Sequence, residues 1–260
     1  MNYVSQLYGA HKGADIYVVG TGTSLRVFPL SFLEDKITIG LNQAWQMLPV
    51  KYGITIRPEL NIPEFLTGES REEIVWITKY IKFTTPKQRK FAETHAARFY
   101  YFDFVRPENK ESLIQGQASV AGRNLDWLRR PVENYLYLWS SISQSAVNLA
   151  TNMGAKNIIL VGCDNAPLAD NHHAHAQHTL WAGNDPNVRY REYYEGLREI
   201  REALRERKIN LLSATPFLRI GDCAEEFAGL CRQLNQPDFI DNGDISRKMG
   251  LDRPSQKSPI

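Results

Sequence analysis

Four short clusters in this chain have the residue types and spacing to do chemistry. The first is Gly20-Thr21-Gly22-Thr23-Ser24, which breaks a β-type apolar run, Ile16-Tyr17-Val18-Val19. At the first strand-to-helix turn of an α/β protein, backbone N–H groups face solvent and can hold a phosphate. Gly20 and Gly22 permit close backbone approach, and Thr21, Thr23 and Ser24 add hydroxyls. The third glycine of a dinucleotide fingerprint is missing, and so is the P-loop lysine. The turn reads as a loop for a nucleotide phosphate or another anion, with an ordinary tight turn as the alternative. The second cluster is Asn42-Gln43, directly after another apolar run. Two amides there can read the edge of a base or a sugar hydroxyl, or Asn42 caps a helix instead.

The third cluster is Gly162-Cys163-Asp164-Asn165, at the end of the most apolar run in the chain. Asp164 either meets a ligand or satisfies its own loop. The fourth cluster is His172, His173, His175 and His178, four of the six histidines in the chain. Histidine suits proton transfer near neutral pH and also ligates metals. His175 and His178 would share a helical face, His173 and His175 a strand face. The spacing fits no zinc signature and no Cys or Glu lies among them. The competing reading is a solvated polar loop.

Such groups need a scaffold, and the alternation of strand and helix patterns supplies one. Strands are expected at residues 16–19, 37–41, 157–162 and 209–213, with weaker signals at 54–56 and 74–81. Residues 26–36 have room for one or two helical turns, and 86–97 start with a proline at a good first helical position. Residues 98–105 are aromatic and β-rich, and 106–130 read as a polar surface excursion. Ser140 or Ser141 caps a helix bearing Ala146, Val147, Leu149, Ala150 and Met153, which Gly154 closes. Tyr190, Tyr193, Leu197, Ile200 and Leu204 form one stripe of a helix over 190–208. The pattern predicts an α/β fold with a parallel sheet covered on both faces. Its strand ends would gather the first three clusters on one rim.

Composition bounds the rest. The chain has 260 residues, 43% hydrophobic and 23% charged, enough for one large domain or a domain with an insertion. A net charge of +2 gives no global signature of nucleic-acid binding. Cys163, Cys223 and Cys231 form no CxxC pair and their odd number argues against a disulfide framework, as expected for a reducing cytoplasm. No signal-type or bilayer-spanning apolar segment is evident. The aromatic stretch 98–105 and Trp139 are candidates for an interface between copies of the chain. The tail after residue 238 reads as loosely ordered.

In order along the chain, these pieces resemble the bacterial sialyltransferases of glycosyltransferase family 42. Val19 to Leu25 resembles that family's Gly-Asn-Gly-Pro-Ser-Leu opening, and Asn42-Gln43 its Asn-Gln after the second strand. Ser141 to Asp164 is similar to its Ser/Thr-rich helix start, apolar strand and Gly-x-Asp. Residues 208–216 resemble its strand leading to Cys-Pro. A wider group, with flagellin-modification accessory proteins and a pterin diphosphokinase, shares the pattern and a Rossmann-like, doubly wound, mostly parallel sheet.

The resemblance implies a single nucleotide-binding domain over 14–220, with a lid over 165–189 and a C-terminal extension over 221–260. It implies a CMP-sugar donor, CMP-sialic acid or a relative, transferred to a glycan acceptor without a required metal or other cofactor. Gly20, Thr21, Gly22, Thr23, Ser24, Asn42 and Gln43 would hold phosphate, ribose or base. Ser141, Ser143, Gly162 and Asp164 would complete the pocket. Asn165, Ala166 and Pro167 occupy the region of the family's two phosphate-steadying tyrosines. Counting back from 208–216 puts Arg191 at the family's catalytic histidine. His178, then His175, is accordingly the expected base, with Tyr190, Tyr193 or Arg191 stabilising the departing phosphate. A Mg²⁺-dependent phosphotransferase of the pterin diphosphokinase type is the alternative, using Asp164 with Asp170 or Asp185. A non-catalytic binding member of the fold is the third reading.

Overall fold

The computed structural model describes residues 1–26, 28, 30–79, 82–103, 125–138, 141–164 and 186–214, with backbone alone at 186–192, 194 and 195. Within them eight strands form one sheet: β1 (Asn2–Tyr3), β2 (Asp15–Val19), β3 (Ile37–Leu41), β4 (Tyr52–Ile54), β5 (Val75–Thr78), β6 (Phe99–Tyr101), β7 (Asn157–Val161) and β8 (Asn210–Ser213). Their spatial order is β1-β6-β5-β4-β3-β2-β7-β8. Every pairing is parallel. The helices are α1 (Pro58–Asn61), α2 (Pro63–Leu66), α3 (Pro86–Thr94), α4 (Asp126–Arg129), α5 (Ile142–Asn152) and α6 (Pro186–Arg205). This is the doubly wound, Rossmann-like α/β architecture expected from the alternation of patterns.

The central strands are apolar throughout because both sheet faces are covered. Alternate residues therefore join different cores. Ile16, Val18, Ile39, Ile158 and Leu160 pack under α4, α5 and α6 with Trp127, Ala146, Ala150, Leu197 and Ile200. Tyr17, Val19, Ile159 and Val161 face the other layer, with Leu25, Leu33, Trp45, Phe83 and Ala92. The first layer is built mainly from the two longest helices, α5 and α6. The second uses α3 and short 3-10 turns, including Thr23–Arg26 and Leu30–Leu33.

Local chemistry sets several boundaries where the sequence places them. The Ser141 hydroxyl accepts from the Ser143 N–H at 3.2 Å and caps α5. Gly154 follows its last turn with φ +93°, a left-handed position that favours glycine. β3 has the expected bounds, and β7 ends one residue early because Gly162 turns left-handed at φ +62°.

Other expectations shift. The 54–56 strand lies instead at Tyr52–Ile54, with Thr55 keeping one last backbone bond, its N–H to the Ile77 carbonyl at 3.0 Å. The 74–81 run pairs only at Val75–Thr78, and the two-residue β1 carries no readable periodicity. Within 106–130 the described part is not a surface excursion, since α4 buries Trp127 and Leu128. Two anchors on a single turn are too few to register as a pattern. Phe99, Tyr101 and Phe102 are likewise core residues rather than interface aromatics. Trp139 and the tail after 238 lie outside the described residues. Among the described residues, no helix is long and apolar enough to cross a membrane.

Gly53 on β4 shows how tightly the second layer closes. A Cβ there would lie 2.4 Å from Cζ3 of the Trp76 indole, which is fully buried. Gly53→Ala is expected to destabilise the protein by about 1–3 kcal/mol through overpacking. A lower urea midpoint with an altered tryptophan near-UV signal would register it, and an unchanged midpoint would contradict it.

Candidate functional site

In an open parallel sheet, ligands collect at the carboxyl ends of strands where the strand order reverses. Here the chain leaves β2 toward β3 on one side, while β7, on the other side of β2, leads outward to β8. The reversal therefore falls between β2 and β7. Their next residues are the Gly-x-Gly-x-Ser turn and the Gly-Cys-Asp turn.

The two turns are stitched together. The Gly20 N–H donates to the Val161 carbonyl and the Gly22 N–H to the Gly162 carbonyl, both at 2.7 Å. A Cβ on Gly20 would lie 2.2 Å from the Gly162 oxygen. One on Gly22 would lie 2.6 Å from both the Gly162 oxygen and Oδ2 of Asp164. These two glycines serve close approach of one loop to the other.

Asp164 completes the crossing. Its Oδ2 accepts the Ser24 N–H at 2.8 Å, and its Oδ1 accepts the Ser24 hydroxyl at 2.5 Å. The carboxylate thus stands at the start of the Thr23–Arg26 turn, where an external anion would stand in a phosphate loop. The N–H groups of Gly20, Gly22 and Ser24 are all engaged within the protein, so a ligand at this rim meets the outer edge of the loop. Burial pushes the Asp164 carboxyl up to about 6, against the opposing pull of the two Ser24 hydrogen bonds. The neighbouring Cys163 thiol is buried and pushed up to about 12, chiefly by desolvation, then by Asp164, which makes it a poor nucleophile.

One strand along, Asn42 follows β3 in the left-handed region, φ +50°. Its Oδ1 accepts from the Thr55 hydroxyl at 3.0 Å. Gln43 turns the other way: its Nε2 donates to the Leu60 carbonyl at 2.8 Å, and its Oε1 accepts from Gln46 at 2.9 Å. Gln43 is buried and holds the α1 segment against the rim. Ser141 and Ser143 sit at the start of α5, their hydroxyls 2.8 Å apart. The 11-residue α5 and the five-residue β7 are both about 16 Å long. Joined by a short turn, they return the helix start to the same carboxyl rim.

No protein-family model matches this sequence, and no curated protein matches it. Among solved structures it is similar to the MAf glycosyltransferase from Magnetospirillum magneticum AMB-1, at 14% identity and a TM-score of 0.49. The match covers 84% of this chain and 36% of that one, so the chain spans about a third of that structure's length.

The rim thus joins Ser24 to Asp164 and brings Asn42, Ser141 and Ser143 to the same edge, while Gln43 is withdrawn into the fold. His172, His173, His175 and His178 lie outside the described residues, as do Asp170 and Asp185. Pro186 starts α6 within the segment expected as a lid, a first-position proline. Tyr190 and Arg191 fall where α6 is described as backbone alone, and Tyr193 is half-buried. At 20 residues α6 is about 30 Å long, against about 13 Å for β8, so its first turns project past the carboxyl edge. Among the described residues, no three of His, Cys, Asp and Glu converge at a metal-sized site. Sequence reading missed Thr55 and Asn61, both buried at this rim. Thr55, a polar residue directly after an apolar strand, carried a signal, whereas Asn61 at the end of α1 carried none.

Proposed function

We propose that this chain is a glycosyltransferase-like enzyme that takes a nucleotide-activated sugar, a CMP-sugar such as CMP-sialic acid, and transfers it to a glycan acceptor. The observation that carries the reading is the crevice between β2 and β7. Both turns predicted to bind the nucleotide converge there, with Asn42 and the start of α5 on the same edge. The order of motifs resembling the bacterial sialyltransferases supports the choice of donor. In this scheme Asn42 meets the base or ribose, and Ser141 and Ser143 offer hydroxyls beside the positive end of α5. His178, or His175 after it, takes the proton of the acceptor hydroxyl. Tyr190, Tyr193 or Arg191, at the projecting end of α6, stabilises the departing phosphate. Closure of residues 165–189 over the crevice excludes water that would hydrolyse the donor.

Calorimetry with CMP, set beside ATP with Mg²⁺, tests the reading. CMP is expected to bind, and a CMP-sugar to be turned over without added metal. Tight binding of another nucleotide with none of CMP overturns the donor. Mg²⁺-dependent conversion of ATP to AMP replaces the scheme with a phosphotransferase.

A further inference from the structure

Behind Asn42 runs a chain of hydrogen bonds whose polarity is decided at its far end. The Arg57 carbonyl can only accept, and Nδ2 of Asn61 lies 3.0 Å from it. That contact fixes which end of the Asn61 amide is nitrogen. The same nitrogen donates to the Thr55 hydroxyl oxygen at 2.9 Å. The Arg57 N–H donates to that oxygen as well, at 3.0 Å. Both lone pairs of the hydroxyl are then filled, and its single hydrogen is left for Asn42 Oδ1 at 3.0 Å. Thr55 is fully buried, so water does not compete for it.

The Asn42 main chain is held too, its N–H donating to the Ile54 carbonyl at 3.0 Å. The carboxamide therefore turns its oxygen inward and its NH₂ away from Thr55. Among the described residues, no protein group meets that NH₂. Asn42 is half-buried and follows the last residue of β3, the strand beside the 20–24 loop.

We infer that Thr55 is a positioning residue that holds the Asn42 amide as a hydrogen-bond donor, so that the nucleotide atom recognised there is a hydrogen-bond acceptor. This rests on the reading that a nucleotide occupies the rim. Such an acceptor belongs either to the phosphate or to the nucleoside, as a base carbonyl, a base ring nitrogen or a ribose hydroxyl oxygen, and an amino group is excluded from the position.

The decisive variant is Asn42→Asp. Aspartate tolerates a left-handed backbone and keeps an oxygen for Thr55, but it presents an acceptor outward where the NH₂ stood. Its thermal midpoint is expected to stay close to that of the wild type, while affinity for CMP falls about tenfold or more. Cytidine sorts the two sources of the acceptor: its binding is spared if the phosphate is the target, and falls in step with CMP if the nucleoside is. Thr55→Val should weaken CMP binding, and Thr55→Ser should restore it.

The orientation also has a readout without ligand. In ¹⁵N spectra of the free protein, the side-chain NH₂ pair that vanishes in Asn42→Asp should exchange freely with water. A protected pair, or Asn42→Asp binding CMP as tightly as the wild type, overturns the inference even if CMP binds. A wild-type protein that binds no nucleotide, with the pair exchanging freely, overturns the nucleotide reading and the recognition built on it.

Discussion

Gly20→Ala is expected to open the crossing between the β2 and β7 turns and, under the proposed function, to abolish nucleotide binding with it. The new Cβ would lie 2.2 Å from the Gly162 oxygen, 2.8 Å from its carbonyl carbon and 3.1 Å from Cα of Cys163. All three are backbone atoms, so no side-chain rotation relieves the clash. Separating the loops stretches the Gly20-to-Val161 and Gly22-to-Gly162 hydrogen bonds and draws Ser24 off Asp164. Destabilisation at the upper end of the overpacking range, about 3 kcal/mol, follows. Urea unfolding measures it directly. A wild-type midpoint for Gly20→Ala would mean that the close crossing is absent in solution.

Asp164→Asn is expected to stabilise the protein at neutral pH while impairing any reaction at the rim. The Asp164 carboxyl is raised to about 6, above its ordinary value of 3.8, with burial as the main cause. Below about pH 4 the folded and unfolded states both hold the proton, and the group adds no pH dependence. Between about pH 4 and 6 the unfolded chain releases its proton first, so stability falls as pH rises through that window. Above it the carboxylate costs up to about 3 kcal/mol relative to the protonated form. Asparagine carries no charge, and its amide can still accept the Ser24 N–H and reach the Ser24 hydroxyl. The thermal midpoint of the variant should equal that of the wild type near pH 4 and exceed it at pH 7. Asp164→Ala should lie below both, because it strands the Ser24 donors. A charged group held in a crevice against a stability cost is a pattern that favours function. The asparagine variant, more stable yet less active, would express that conflict. Equal pH dependence in wild type and Asp164→Asn would show that the carboxyl is not raised.

Residues close in sequence were the ones whose structure could be read from sequence. The runs that became β2, β3 and β7 are apolar along their whole length, since strands buried on both faces need no polar side. Ser141 caps α5 and Gly154 ends it through contacts within a few positions. The turn at residues 20–24 and Asp164 were each recognisable as strand-end groups. That Asp164 bonds directly to Ser24 was not, because the bonds joining them span 140 positions. Their meeting depends on β7 pairing with β2 rather than with a later neighbour, and strand order is a choice among competing long-range pairings. The same holds for the adjacent amides: Asn42 and Gln43 look interchangeable in the sequence. The Leu60 carbonyl draws Gln43 inward, and Thr55 turns only the oxygen of Asn42 inward. A side chain's partner decides whether it can serve a ligand, and tertiary packing alone supplies that partner. The sequence by itself determined the elements and which residue types stand at their ends. The tertiary structure decided which of those residues bond to one another at the shared rim and which hydrogen-bonding atom each turns toward it.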